Sequence, residues 1–115
     1  MELKSQATPS VRPRDLLAGR TIIVTGAATG IGQAFAIGCA AQGANVVVAD
    51  LSAADETVAA IEQGGGQALA VRVDVADDAS VQAMAAATLE RFGRIDGLVN
   101  NAAYFREVKL TPFEE

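Results

Sequence analysis

The stretch Thr21–Gly32, TIIVTGAATGIG, decides the fold. Thr21, Ile22, Ile23 and Val24 form a run too short for a helix, rich in β-branched residues and continuously apolar. Such a run suits a strand buried on both faces of a parallel sheet, and this one reads as the central strand. Glycines follow at Gly26, Gly30 and Gly32, and Ile31, Ala34, Phe35, Gly38 and Cys39 then recur at the spacing of an amphipathic helix face. The glycines therefore occupy a strand-to-helix turn. A helix start leaves backbone N–H groups without internal partners and carries a partial positive charge, so it attracts an anion that can come close. Without a Cβ at Gly26, Gly30 or Gly32, the chain can turn tightly, admit a pyrophosphate and pack its helix on its strand. A tight turn with close helix packing and no ligand remains the plain alternative.

The second strand, Asn45–Ala49, ends in Asp50, 24 residues after Gly26. A carboxylate there accepts hydrogen bonds from both hydroxyls of an adenosine ribose and repels a 2′-phosphate, which favours NAD over NADP. No Arg or Lys lies in the glycine turn or directly after Asp50 to offset that repulsion. Asp50 could instead be a solvated strand end or a helix cap, although Ser52 is available for the cap.

Working outward, residues 1–15 read as a flexible tail: Met1–Arg14 is polar, holds two of the three prolines and shows no apolar periodicity. Neither a secretory core nor a run of ~18 apolar residues is present, which predicts a cytoplasmic protein with no membrane partner. Leu16 and Leu17 are expected to pack beneath the sheet. The 115 residues, half of them hydrophobic, allow one domain at most, over 16–115. A net charge of −5 argues against nucleic acid, and no histidine with a single cysteine argues against a metal site or a disulfide framework. Cys39, on the apolar helix face, reads as a small buried hydrophobe.

A second helix is expected from about Ala53 to Gln63, stopped by Gly64, Gly65 and Gly66. The third strand, Gln67–Val73, delivers Asp74 and Val75 to the edge where open α/β sheets bind ligands. Asp74 could accept from the adenine amine while Val75 contacts the ring, or Asp74 could simply be a turn residue. The third helix runs from Asp78 or Ser80 to Phe92, with Val81, Met84, Ala85, Thr88, Leu89 and Phe92 on one face. The fourth strand, Ile95–Asn100, leads to Asn101, Ala102 and Ala103, where small side chains leave room for a nicotinamide ribose.

The order β-α-β-α-β-α-β with these motifs resembles the amino-terminal half of a classical short-chain dehydrogenase/reductase. The family's TGxxxGxG turn matches Thr25, Gly26, Ala27, Ala28, Thr29, Gly30, Ile31 and Gly32. Its NAD-selecting acid matches Asp50, its adenine-contacting pair Asp74 and Val75, and its NNAG motif Asn100, Asn101, Ala102 and Ala103, with alanine in place of the last glycine. The resemblance implies a Rossmann-like doubly wound parallel sheet of order 3-2-1-4-5-6-7, truncated here after about four strands. It also implies that Asn100 ties neighbouring strands together and that Asn101 lies against the cofactor. The cofactor-binding set is then Gly26, Ala27, Ala28, Thr29, Gly30, Ile31, Gly32, Asp50, Asp74, Val75, Asn101 and Ala102. Family members move a hydride between NAD(P) and a small alcohol or carbonyl, and are commonly homo-oligomers. Their serine and Tyr-x-x-x-Lys residues have no counterpart before Glu115: Tyr104 is followed four positions later by Val108, not lysine. Thr111, Pro112, Phe113 and Glu114 announce a further helix. The expectation is a cofactor-binding piece that is marginally stable and catalytically inactive alone. A non-catalytic NAD-binding module and a methyltransferase-type domain are the rivals, the latter disfavoured by NNAA and by the lack of a GxGxG turn.

Overall fold

The computed structural model describes residues 16–102. Seven elements alternate along the chain: β1 (Thr21–Thr25), α1 (Gly30–Ala41), β2 (Asn45–Asp50), α2 (Asp55–Gln63), β3 (Gln67–Arg72), α3 (Asp78–Phe92) and β4 (Gly97–Asn100). The four strands form one sheet of order β3-β2-β1-β4, and every pairing is parallel. This is the Rossmann-like arrangement the sequence implies, with β1 interior to the sheet. Ile23 pairs with Val47 on one side and Leu98 on the other, and Asp50 stands opposite Arg72.

Val46, Val47 and Val48 are completely buried, each contributing about 1.5–3 kcal/mol of transfer free energy. Because side chains alternate across a strand, they divide between two cores. Val24, Val46 and Val48 pack with Ala36 and Cys39 of α1 and Ile61 of α2; Ile23, Val47 and Val73 pack with Met84 of α3. Cys39 is thus buried as expected, and burial pushes its thiol pKa up. No helix among the described residues is long and apolar enough to cross a membrane.

Several local expectations need correcting. The buried face of α1 is Gly32, Ala36 and Cys39, whereas Ile31 is 77% and Phe35 50% exposed. Gly32 sets this rotation: helix and strand meet where it lacks a side chain, so its i+4 and i+7 neighbours face the sheet. Leu16 is exposed and only Leu17 packs against the core. On α3, Met84 and Thr88 are buried but Leu89 is exposed. Helix α2 begins two residues later than expected, with Ala54 at the cap position and no capping side chain, so Ser52 does not cap it. Strand β4 begins at Gly97 rather than Ile95, and β3 ends at Arg72 rather than Val73. For α3 the Asp78 start holds, and the Asp77 carboxylate accepts from the Ala79 N–H. Ala103, Tyr104, Phe105, Arg106 and the Thr111–Glu114 helix signal lie outside the described residues, as does the tail before Leu16.

Strands β1 and β4 are pinned together at their amino ends by Asp96. Its Oδ2 accepts from the Thr21 N–H at 2.8 Å and from Arg94 Nε at 2.7 Å, and its Oδ1 from Arg94 Nη2 at 2.7 Å. The Arg94 fork, then the Thr21 N–H, hold the Asp96 carboxyl down at about 2, below its usual 3.8. A depressed folded-state pKa adds stability above the ordinary value and loses it as pH falls toward the depressed one. Asp96→Asn should therefore lower the melting temperature at neutral pH. The difference from the unsubstituted protein should close between pH 3.8 and pH 2 in a thermal melt followed by circular dichroism.

Candidate functional site

At the carboxyl ends of the strands a cavity of ≈ 250 Å³ opens, lined by Gly26, Thr29, Asp50, Leu51, Val73, Asp74, Val75, Asn101 and Ala102. That volume suits a nucleoside-sized group better than a whole dinucleotide. The cavity gathers ends of all four strands, because a parallel sheet delivers every strand's carboxyl end to one edge.

Two glycines shape the turn that borders the cavity. Gly26 has φ +67°, and a Cβ there would lie 2.9 Å from the Ala102 Cα. Gly32 seats α1 on the turn: a Cβ would fall onto the Gly26 carbonyl oxygen and 2.7 Å from Asn101 Nδ2. Both positions exclude any side chain, for strain in one case and for close approach in the other. Asn101 Nδ2 itself donates to the Gly26 carbonyl at 3.3 Å, tying the β4 end to the turn.

The hydroxyl of Thr25 organises this junction. It donates to Asn100 Oδ1 at 2.9 Å and accepts from the N–H groups of Asn101 at 3.0 Å and Ala102 at 3.1 Å. One donor and two lone pairs are thereby fully used. Asn100 does tie β4 to β1, and it does so through this buried hydroxyl.

Asp50 stands at the end of β2 with its carboxylate already engaged on two sides. Oδ2 accepts from the Ala28 N–H at 2.8 Å and Oδ1 from the Ser52 N–H at 2.9 Å, the latter an Asx turn. A carboxylate offers about four lone-pair sites, so acceptor capacity remains on both oxygens. Asp74 makes a similar turn, its Oδ1 accepting from the Ala76 N–H at 3.0 Å while its own N–H donates to Ser80 Oγ at 2.9 Å. The turn role and the lining position coexist in both acids.

Of the sequence-derived set, Gly26, Thr29, Asp50, Asp74, Val75, Asn101 and Ala102 line the cavity. Ala27 and Ala28 are buried behind it, their N–H groups donating to the Ala49 carbonyl and to Asp50. Gly30, Ile31 and Gly32 form the first turn of α1, whose leading N–H groups have no acceptor within the helix. Thr29, the cap residue, makes no capping bond through its side chain. Sequence reasoning missed Leu51 and Val73 in the lining and also Arg72, which the β2–β3 register places opposite Asp50. The Arg72 Nε donates to the Leu51 carbonyl at 3.2 Å. Arg72 is adjacent to Asp50 only across strands, so spacing along the chain does not reveal it.

Comparison with known proteins agrees with this fold. The family described as short chain dehydrogenase matches residues 20–115. Glucose 1-dehydrogenase 2 of Bacillus subtilis is 44% identical over 101 residues, covering 85% of this chain and 39% of that protein. L-rhamnose 1-dehydrogenase (NAD(P)(+)) of a Sphingomonas species is 47% identical over 90 residues, covering 76% and 35% respectively. Among solved structures, hydroxysteroid dehydrogenase from Escherichia coli superimposes with a TM-score of 0.78 at 39% identity, over 90% of this chain and 43% of that one. The chain thus spans less than half the length of these relatives.

The shared hydroxyl of Thr25 yields a quantitative expectation. Thr25→Val keeps the shape but leaves the Asn101 and Ala102 N–H groups without their acceptor, at a cost of about 1–3 kcal/mol in urea unfolding, whereas Thr25→Ser should cost less than half as much.

Proposed function

The chain belongs to the short-chain dehydrogenase family, and from that premise we propose that it supplies the cofactor half of an NAD-dependent oxidoreductase. The parent activity is hydride transfer between the nicotinamide and a small alcohol or carbonyl, in a cytoplasmic homo-oligomer. The observation that carries this reading is the convergence of the Asp50 carboxylate and the Gly26–Gly32 turn on one cavity at the carboxyl edge of the sheet.

In this reading, the adenosine enters between Asp50 and the Asp74–Val75 pair. Asp50 accepts from the ribose hydroxyls and Asp74 from the adenine amine, while Val75, 37% exposed, contacts the ring. The pyrophosphate meets the N–H groups of the first turn of α1, where the helix field is positive. The nicotinamide ribose passes Asn101 and Ala102. Bound NAD would supply the hydride acceptor; these residues bind it and orient it. The serine, tyrosine and lysine that handle the substrate's proton are assigned to sequence outside this chain.

NAD is preferred because a 2′-phosphate would sit against Asp50, and the cavity lining carries two carboxylates and neither Lys nor Arg. Arg72, which pairs with Asp50 in the β2–β3 register, is the basic residue that would limit that preference.

Titration calorimetry tests the assignment. Asp50→Ala should weaken NAD+ binding by about 1.5–3 kcal/mol, the worth of hydrogen bonds to a charged acceptor, and should narrow the gap between NAD+ and NADP+ affinities at least about tenfold. Unchanged NAD+ affinity in this variant would remove Asp50 from the ribose site.

A further inference from the structure

Behind the glycine turn lies a polar network that ties it to β2, α1 and α2. The segment Ala27–Ala28 spans the gap between β1 and α1, and all four of its backbone polar groups have partners. Its N–H groups face β2: Ala27 donates to the Ala49 carbonyl at 3.2 Å and Ala28 to Asp50 Oδ2 at 2.8 Å. Its carbonyls face the helices. Thr57 Oγ1, on α2, donates to the Ala27 carbonyl at 2.8 Å. Gln33 Nε2, on α1, donates to the Ala28 carbonyl at 3.2 Å and to Thr57 Oγ1 at 2.9 Å. Thr57 is completely buried. A hydroxyl so placed has no water to replace the bonds it makes.

We propose that Thr57 and Gln33 are positioning residues for cofactor binding: they clamp the Ala27–Ala28 carbonyls from two helices and so hold the turn in the shape that presents the N–H groups of Thr29–Gly32 to a pyrophosphate. This rests on the cofactor reading above. The clamp touches no ligand itself. It acts by ordering the turn before binding, so that the ligand does not bear the ordering cost. Its effect should fall on the phosphate-bearing part of the ligand. At the adenosine end, Asp74 and Val75 stand apart from the clamped segment, and Asp50 meets it only through the Ala28 N–H, which Thr57 and Gln33 do not touch.

That division supplies a readout that loss of stability alone would not move. Binding of NAD+, ADP and adenosine is measured by NMR titration, well below each variant's melting temperature. Thr57→Val keeps the side-chain shape, removes the donor to the Ala27 carbonyl and leaves the Gln33 amide without one acceptor. It should raise the Kd for NAD+ and ADP about tenfold, as loss of a buried partner implies, and leave that for adenosine within about twofold. Thr57→Ser should restore NAD+ and ADP affinity. Gln33→Leu, on a half-buried helix position, should shift the same two ligands in the same direction, and it decides the matter where Thr57→Val does not fold. Equal losses for all three ligands, or no loss in either variant, would overturn the clamp. Failure of the unsubstituted protein to bind NAD+ at all would overturn the cofactor reading, and the clamp's function with it.

Discussion

The carboxyl edge of this sheet depends on how closely α1 approaches the end of β1. At Gly32 the helix comes so near that the Gly26 carbonyl occupies the space a side chain would need. That one approach sets the rotation of the helix and aims its first turn at the cavity. It also brings Asn101, from a strand distant in sequence, within hydrogen-bonding reach of the turn. A helix displaced by even one methyl group would disturb all three, because packed elements transmit a volume change rather than absorb it.

Two further devices hold the geometry. Along the sheet, β1 and β4 are fastened at both ends, by Asp96 with Arg94 and Thr21 at the amino edge and by Thr25 with Asn100, Asn101 and Ala102 at the carboxyl edge. Across the layers, α2 contributes a single buried hydroxyl to the back of the glycine turn. In each case a side-chain oxygen with several bonds satisfies backbone groups that no strand or helix ladder reaches. The groups that line the cavity are thereby supported by groups that do not.

The elements themselves were readable. A continuous β-branched run at Thr21–Val24 marks a strand buried on both faces, Val46–Val48 marks the next strand, and glycine clusters mark the turns. The helix faces were less readable. Ile31 and Phe35 are more hydrophobic than Gly32 and Ala36, so periodicity assigned the core to the larger residues. The actual contact favours the smaller ones, because closeness of approach matters more there than side-chain area. Ser52 looked like a helix cap by residue type, yet its N–H is spent on Asp50, and the helix begins at Asp55 without a capping side chain.

Residue type and order along the chain were enough to specify an α/β sheet with a glycine turn, an acid after the second strand and an asparagine pair after the fourth. Those features arise from local steric and hydrogen-bonding preferences, which act between near neighbours. Folding in three dimensions settled which groups come together: Thr25 with Asn100, Thr57 with the Ala27 carbonyl and with Gln33, and Arg72 paired with Asp50 across strands. These pairs are separated by up to 75 residues, and no spacing rule connects them. They are set by strand register and helix rotation, which only the simultaneous packing of all the layers can determine.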